Sequence, residues 1–381
     1  MSATHAKRAH SEEGPPPARI AVIGAGWWAQ GWHLPQLQRN PDSEVVAIMQ
    51  RSEAPKAWTG DKLETKTELR ATYGVPVFSS VEEMLSDAET AAKIDGVIIC
   101  TSHNMHAVMG HQCLAAGKHI LMEKPMTVDV AEARELAEAA SASGLTFIVN
   151  NTANFRDKCF DARRIVASGE LGEVHQVLCV MYSPLMFLFD DPKNSGWTEP
   201  TGKMVGNGFG WGQLSHVLAW VLHVADLDVE EVTAMTHKSE KSGADLTDAA
   251  LIRCKGAKSI SLSGGCGWPG HEFAERPAGK HFDIKIFGSN GVLMYGGDDK
   301  DPASGRLELR KHDGTSTVSE GFLMENTEVP GLGPESLLQF IAACRGLEHR
   351  NGADQGVGLQ AVRALDAMYR SAASGKTEPA L

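Results

Sequence analysis

Glu123-Lys124-Pro125 closes a short apolar run, Ile120-Leu121-Met122. A carboxylate and an ammonium side by side at the end of a buried strand stand where open α/β sheets bind ligands, beyond the carboxyl ends of their strands. A lysine so placed can stabilise negative charge developing on a substrate oxygen. A surface lysine followed by a strand-stopping proline has the same three letters, because exposed lysines are the rule. Three further groups of residues bear on that choice. Gly24-Ala25-Gly26-Trp27-Trp28-Ala29 follows the apolar run Ile20-Ala21-Val22-Ile23. This G-x-G-x-x-A pattern gives Gly24 the tight turn, Gly26 the close approach of a pyrophosphate and Ala29 the close packing of helix on strand. Trp27 and Trp28 then stand at a helix N-terminus, whose N–H groups suit phosphate. Thr101-Ser102-His103-Asn104-Met105-His106 follows a buried strand and reads as a loop beneath the same ligand, with His106 opening a helix. His103 and His106 have no cysteine or carboxylate at zinc spacing, so no metal is expected.

The third group is glycine-rich. Gly206-Asn207-Gly208-Phe209-Gly210-Trp211-Gly212-Gln213-Leu214-Ser215-His216 runs into the apolar helix Val217 to Val224. His216 falls in its first turn, where the positive end of the helix dipole disfavours imidazolium and leaves a neutral ring able to accept a proton. A structural histidine at a helix start fits equally well on these residues alone.

The elements that must position these groups can be read in order. Six short apolar strands alternate with helices as far as Asn150, which gives a doubly wound parallel sheet of the Rossmann kind. The second strand ends in Gln50-Arg51-Ser52. An Asp or Glu about 20 residues past the glycines would bind a ribose 2′-hydroxyl. Gln50 with Arg51 suits a 2′-phosphate better, since no carboxylate repels it. NADP is therefore slightly favoured over NAD. Beyond Asn150 come long strands, Glu173 to Tyr182 and then Val229 onward, with a hairpin turn at Lys255-Gly256-Ala257. These give a C-terminal domain on a large, mostly antiparallel, open-faced sheet. Several strands are apolar on both faces, so one layer of helices cannot cover the sheet and a second subunit is expected on its open face. The expected division is a disordered leader over 1–18, a dinucleotide-binding domain over 19–150 and a substrate and oligomerisation domain over 151–381.

Composition limits the partners. Of 381 residues, 42% are hydrophobic and 22% charged, with a net charge of −12, which disfavours nucleic acid and anionic membranes. No apolar run approaches a membrane span. The polar start has no apolar core of a secretory signal, and seven scattered cysteines form no C-x-x-C. The expectation is a cytoplasmic protein with reduced thiols.

Taken in order and spacing, the Gly24–Ala29 turn, Thr101 to His106, Gly117-Lys118-His119 through Pro125, Asn154-Phe155-Arg156, Ser168 to Gly172 and the final Gly352-Ala353-Asp354 helix resemble the Gfo/Idh/MocA oxidoreductases. The resemblance implies a homodimer or homotetramer that moves a hydride between a nicotinamide and a secondary alcohol or ketone of a sugar, cyclitol or sugar derivative. It implies catalytic roles for Lys124 and His216. It implies cofactor contacts from Gly24, Gly26, Trp27, Trp28, Ala29, Gln50, Arg51, Thr101, Ser102, His103, His106, Glu123 and Lys124. Asn154, Arg156, Trp211 and Gln213 join Lys124 and His216 on the substrate side. Trp197, Lys203 and Trp268 are further candidates for lining that site. One departure stands out. The family's D-x-G-x-H pattern has Gly212 and Leu214 here, so the carboxylate before His216 is missing. Glycosidases of the family that oxidise, eliminate and re-reduce a sugar also deviate there and form the alternative. A nucleotide-binding sensor without catalysis is a third reading, opposed by the intact Glu-Lys-Pro and His216.

Overall fold

The computed structural model describes residues 14–269, 279–324 and 332–381. Most of the expected leader, Met1 to Glu13, lies outside them. The described residues form two compact units.

The first unit holds the residues up to Met126, Arg134–Asn150 and the returning stretch from Leu332 to Gln355. Its sheet contains β1 (Ala18–Ile23), β2 (Ser43–Met49), β3 (Val77–Phe78), β4 (Gly96–Ile99), β5 (His119–Met122) and β6 (Phe147–Val149). All pairs are parallel and the order is β3-β2-β1-β4-β5-β6. That is the doubly wound order with its switch point between β1 and β4. The strands are buried on both faces, as their unbroken Val and Ile content requires. The helix Glu335–Cys344 packs on β1 and β5, and the Val149 amide donates to the Ala353 carbonyl at 2.8 Å. The division into units is thus discontinuous in sequence: residues 332–355 fill the first sheet's flank and edge, although the expected boundary put them in the second domain with 356–381.

The second unit carries a nine-stranded sheet. Its strands are β7 (Val174–Tyr182), β8 (Val229–Lys238), β9 (Asp245–Cys254), β10 (Lys258–Gly265), β11 (His281–Gly288), β12 (Gly291–Asp298), β13 (Gly305–Lys311), β14 (Ser316–Phe322) and β15 (Glu378–Pro379). They run in the order β14-β13-β12-β11-β7-β10-β9-β8-β15. Only β7 and β10 are parallel; the other pairs are antiparallel. The hairpin expected at Lys255-Gly256-Ala257 joins β9 to β10. Strands β13 and β14 escaped the sequence reading because Arg306, Glu308 and Arg310 alternate with leucines and β14 is nearly all polar. The helix Ser215–Ala225 is buried along its whole length and packs on β7 and β11. The other face carries half-buried Leu178, Val180, Phe287, Val292 and Met294. Met235 and Leu251 on that face are 78% and 56% exposed.

Candidate active site

The first unit's site begins at the glycine turn. Gly24 has φ +91°, and a β-carbon there would lie 2.5 Å from the Cys100 carbonyl oxygen. Only glycine fits so close to the end of β4. Gly26 is the reverse: a β-carbon would meet nothing within 4 Å, so a side chain would fill a cradle that is open to a ligand. Ala29 is fully buried. A helical run follows from Trp27 to Arg39, with a π turn over Ala29–His33 in which the Leu34 amide reaches the Ala29 carbonyl. The turn, the cradle and the helix start fit a dinucleotide pyrophosphate. At the end of β2 Gln50 is buried and donates its amide to Phe78. Arg51 next to it is exposed, and no described side chain pairs with it.

At the end of β5 stands Glu123, 8% exposed. Its Oε1 accepts from Trp28 Nε1 at 3.0 Å and Asn150 Nδ2 at 2.8 Å, and it lies 2.8 Å from His33 Nε2. Oε2 takes the Lys124 amide at 3.2 Å. Burial alone would push this carboxyl up; the hydrogen bond and pull of His33, the charge of Lys124 and the Asn150 amide outweigh it and hold the group at about 2. A buried charge so rich in donors is fixed in place. Asn150 is held in turn by Ser336, whose hydroxyl donates to Asn150 Oδ1 at 2.7 Å. Lys124 therefore rides on a rigid, ionised neighbour.

The loop after β4 is braced from below. His106 is fully buried, with Nδ1 2.9 Å from the Pro125 carbonyl and Nε2 3.2 Å from that of Thr101. It acts as a strut between the two loops and presents no face to solvent. Thr101 and Ser102 line the loop, and the Thr101 methyl sits where a Gly24 side chain would go. His103 stacks edge-on against His106 at 5.8 Å. Burial, and then His106 and Lys124, push the His103 ring down to about 3, so it is neutral at ordinary pH.

Indole rings crowd this end of the sheet. Trp28 and Trp32 stack at 5.3 Å, Trp27 meets Trp28 at 6.0 Å and Trp58 at 6.4 Å. Trp27 Nε1 donates to Asp61 at 2.9 Å. Trp27 and Trp28 remain 37% and 42% exposed. With both N–H groups occupied, what they offer outward is ring.

In the second unit the glycine-rich stretch forms a π turn, Gly210–Leu214, that passes without a break into the helix Ser215–Ala225. Phe209 and Leu214 both have α backbone angles. His216, 5% exposed, therefore lies well inside a continuous helical run. The expected dipole effect on its ring fails, since that effect is confined to the first turn. Gly212 is closed off. A β-carbon there would be 2.7 Å from Phe189 Cζ and 3.3 Å from Trp197 Cε3. Phe189 and Trp197 thus fill the room that a carboxylate at 212 would need.

The other substrate-side candidates take up structural posts. Trp211, 1% exposed, stacks on Tyr369 at 5.6 Å and 7°; it belongs to the core and not to an open platform. Asn154 Nδ2 donates to the Ala219 carbonyl at 3.0 Å, and Arg156 Nε to that of Leu323 at 3.1 Å. Gln213 is 7% exposed. Trp268 is 38% exposed and stacks flat on His281 at 5.6 Å, which leaves it the most open of the tryptophans considered there. Lys203 pairs with Asp129 at 2.9 Å. Sequence reasoning missed His33, Trp32, Asn150 and Ser336. Trp28 and Trp32 had a legible signal, the i,i+4 spacing that brings rings together on a helix. Asn150 and Ser336 had none, because they meet only through the fold.

Two family models match the chain: an oxidoreductase family described as an NAD-binding Rossmann fold over residues 18–151, and the GFO/IDH/MocA C-terminal domain over 161–294. An uncharacterized oxidoreductase of Schizosaccharomyces pombe (strain 972 / ATCC 24843) is 33% identical over 162 residues, 42% of this chain and 40% of the relative. Matches to the first such relatives span about two fifths of their length. The scyllo-inositol 2-dehydrogenase (NADP(+)) of Bacillus subtilis (strain 168) is 22% identical across 94% of this chain and 95% of its own. The WlbA dehydrogenase of Bordetella pertussis, solved in complex with NADH and UDP-GlcNAcA, shares the fold with a TM-score of 0.64, at 19% identity over 95% of this chain and 98% of that one.

The Glu123 hub gives a pH-dependent expectation. Unfolded, its carboxyl returns to the ordinary 4.5; folded, it stays near 2. Between those values the unfolded chain takes up a proton that the folded chain does not. The stability Glu123 contributes is therefore present above pH 4.5 and lost as pH falls towards 2. Glu123→Gln keeps the shape, turns an N–H towards other donors, and should cost about 1–3 kcal/mol at neutral pH. Its stability should also fall less steeply than wild type below pH 4.5. Urea unfolding at a series of pH values measures both, and identical acid limbs would assign the titration to another group.

Proposed function

The chain belongs to the GFO/IDH/MocA oxidoreductase family, and on that premise we propose that it is an NAD(P)-dependent oxidoreductase acting on a secondary alcohol or ketone of a sugar, cyclitol or sugar derivative. The observation that carries this reading is Lys124 at the carboxyl end of β5, beside a buried Glu123 held ionised by Trp28, His33 and Asn150. Such a construction costs desolvation, and its use is to fix the chain at Lys124, where an ammonium group can meet developing negative charge. A relative named as a scyllo-inositol dehydrogenase, and a dehydrogenase of the same fold solved with a nucleotide sugar bound, support the substrate class.

Gly24 and Gly26 bring backbone and helix N–H groups to the pyrophosphate, and Gln50 with Arg51 faces the adenosine ribose. Nicotinamide, when bound, supplies the hydride chemistry. Lys124 stabilises the alkoxide that develops on the reacting oxygen, and His216 exchanges the hydroxyl proton. The exposed rings of Trp27 and Trp28 offer apolar faces on which a sugar can stack. We assign the molecule a homodimeric or homotetrameric state, because the outward face of the second unit's sheet is apolar around Leu178, Val180 and Met294 and leaves Met235 and Leu251 open.

A second reading is favoured by one observation, the closure of position 212 by Phe189 and Trp197. With no carboxylate at position 212, a redox-assisted cleavage of a glycoside, in which the cofactor is regenerated in each turnover, fits the altered motif. Product release from a glycoside without net change in reduced cofactor selects this reading. Steady accumulation or loss of reduced cofactor on sugars, polyols or sugar acids selects the first.

Lys124→Ala should lower kcat by about 10² or more, roughly 3 kcal/mol of oxyanion stabilisation, with little change in the affinity for reduced cofactor. Near-normal turnover removes Lys124 from the chemistry. Titration of NADPH and NADH by nicotinamide fluorescence should show a modest preference for NADPH. A well-made bond from Arg51 to phosphate is worth about 1.5–3 kcal/mol, but an exposed pair at most about 1 kcal/mol. Arg51→Ala should erase the preference, and tenfold tighter NADH binding would overturn it. Sedimentation at micromolar concentration should give at least a dimer; a clean monomer of 40.9 kDa removes the interface argument.

A further inference from the structure

The turn that leads to His216 rests on two buried carboxyl groups. Asp245 and Asp248 open β9 and are 0% and 1% exposed. Gly210 donates its amide to Asp245 Oδ2 at 2.7 Å. Gly208 forms a bridge to Asp245, whose own amide reaches the Asn207 carbonyl. Tyr369, from the helix Gln355–Ser374, accepts the Trp211 amide on its hydroxyl at 3.1 Å. Its ring packs under Gly206 and Gly210, where a β-carbon would approach to 2.7 Å, and stacks on Trp211. The Asp248 carboxyl lies beside that of Asp245. Among the described residues no N–H group reaches Asp245 Oδ1 or either oxygen of Asp248.

Two carboxylates side by side in an apolar interior cannot both be charged. The groups facing them offer little relief: Lys238 on β8 acts on Asp248 only at a distance, Cys266 after β10 is neutral, and Tyr369 is itself held well above its usual range by burial and the two acids. An O–H on Asp248 aimed at Asp245 pairs two of the three oxygens that no N–H group reaches. Asp245 then accepts from Gly210 and Asp248 together.

We propose that Asp245, Asp248 and Tyr369 form the buried anchor that positions the turn leading to His216, with the Asp248 O–H turned to Asp245. Asp245 and Tyr369 each hold one of two successive amides, Gly210 and Trp211, at the start of the helical run that carries His216. They are positioning residues and touch no substrate. The meaning of the anchor for catalysis rests on the reading of His216 as proton carrier, whereas the anchor itself does not.

The test uses the full-length protein without added ligand. Infrared spectra at pH 7 should show the carbonyl stretch of a protonated buried carboxyl, absent in Asp248→Asn. Amide exchange followed by mass spectrometry should be at least tenfold faster over Gly208–Leu214 in Asp245→Asn and Asp248→Ala. Asp248→Asn, whose amide replaces the acid O–H, should keep it near wild type. Tyr369→Phe should speed the same segment, and it keeps the test open if Asp245→Asn does not fold. The burial and the neighbouring acid raise the Asp248 carboxyl well above 3.8 in the folded state. Above 3.8 the folded chain therefore holds a proton that the unfolded chain has lost, and stability falls as pH rises towards the folded value. The folding constant of wild type relative to Asp248→Asn should accordingly drop about tenfold per pH unit in that window. Absence of the infrared band in wild type, its persistence in Asp248→Asn, or unchanged exchange in both Asp245→Asn and Tyr369→Phe overturns the proposal. Failure to bind NADH or NADPH, measured on the same samples, would instead overturn the functional reading and leave the acid pair standing.

Discussion

A carboxylate taken out of water is the constraint around which the first unit's site is built. Glu123 is held as an anion in a place where burial alone would have neutralised it. That is possible only because an indole, an imidazole and an amide converge on one oxygen. The donors come from two places: Trp28 and His33 from the helix after β1, and Asn150 from the end of β6, itself oriented by Ser336. Leaving any one donor without its acceptor costs about 1–3 kcal/mol, so the site's geometry and the unit's stability are one problem. The ammonium of Lys124 inherits that rigidity through its neighbour.

The second unit solves a similar problem with the opposite protonation logic. Its glycine-rich turn passes close under Tyr369 and Phe189, which is why Gly206, Gly210 and Gly212 can carry no side chain. A backbone so bare exposes its amides, and buried amides need acceptors. Asp245 and Tyr369 supply them. The cost is a second acid with nowhere to put a charge. In one unit donors keep a carboxylate ionised; in the other the lack of donors keeps a carboxyl neutral.

Much of this was legible in the chain. The Gly24–Ala29 pattern, the run into Glu123-Lys124-Pro125 and the six alternating strands follow from period, small residues and apolar runs, all local properties. The change from short strands to long ones at Asn150 is also local. What escaped was of two kinds. Strands β13 and β14 have polar outward faces and too few β-branched residues to stand out. Trp211 stood among the substrate-side candidates; its burial depends on Tyr369, far along the chain.

The sequence by itself determined the family and the doubly wound character of the first sheet, and it marked Lys124 and His216 as candidates, because each is written in residues a few places apart. Tertiary structure alone decided which charges those residues meet. Nothing near Glu123 in sequence announces Trp28, His33 or Asn150, and nothing near Gly210 announces Asp245. It also decided that no acid can stand at 212, since Phe189 occupies that room. The reason is physical. Helix and strand periods are set by backbone sterics within a few residues, whereas the protonation state of a buried group is set by whatever donors and charges the fold brings within a few ångströms of it.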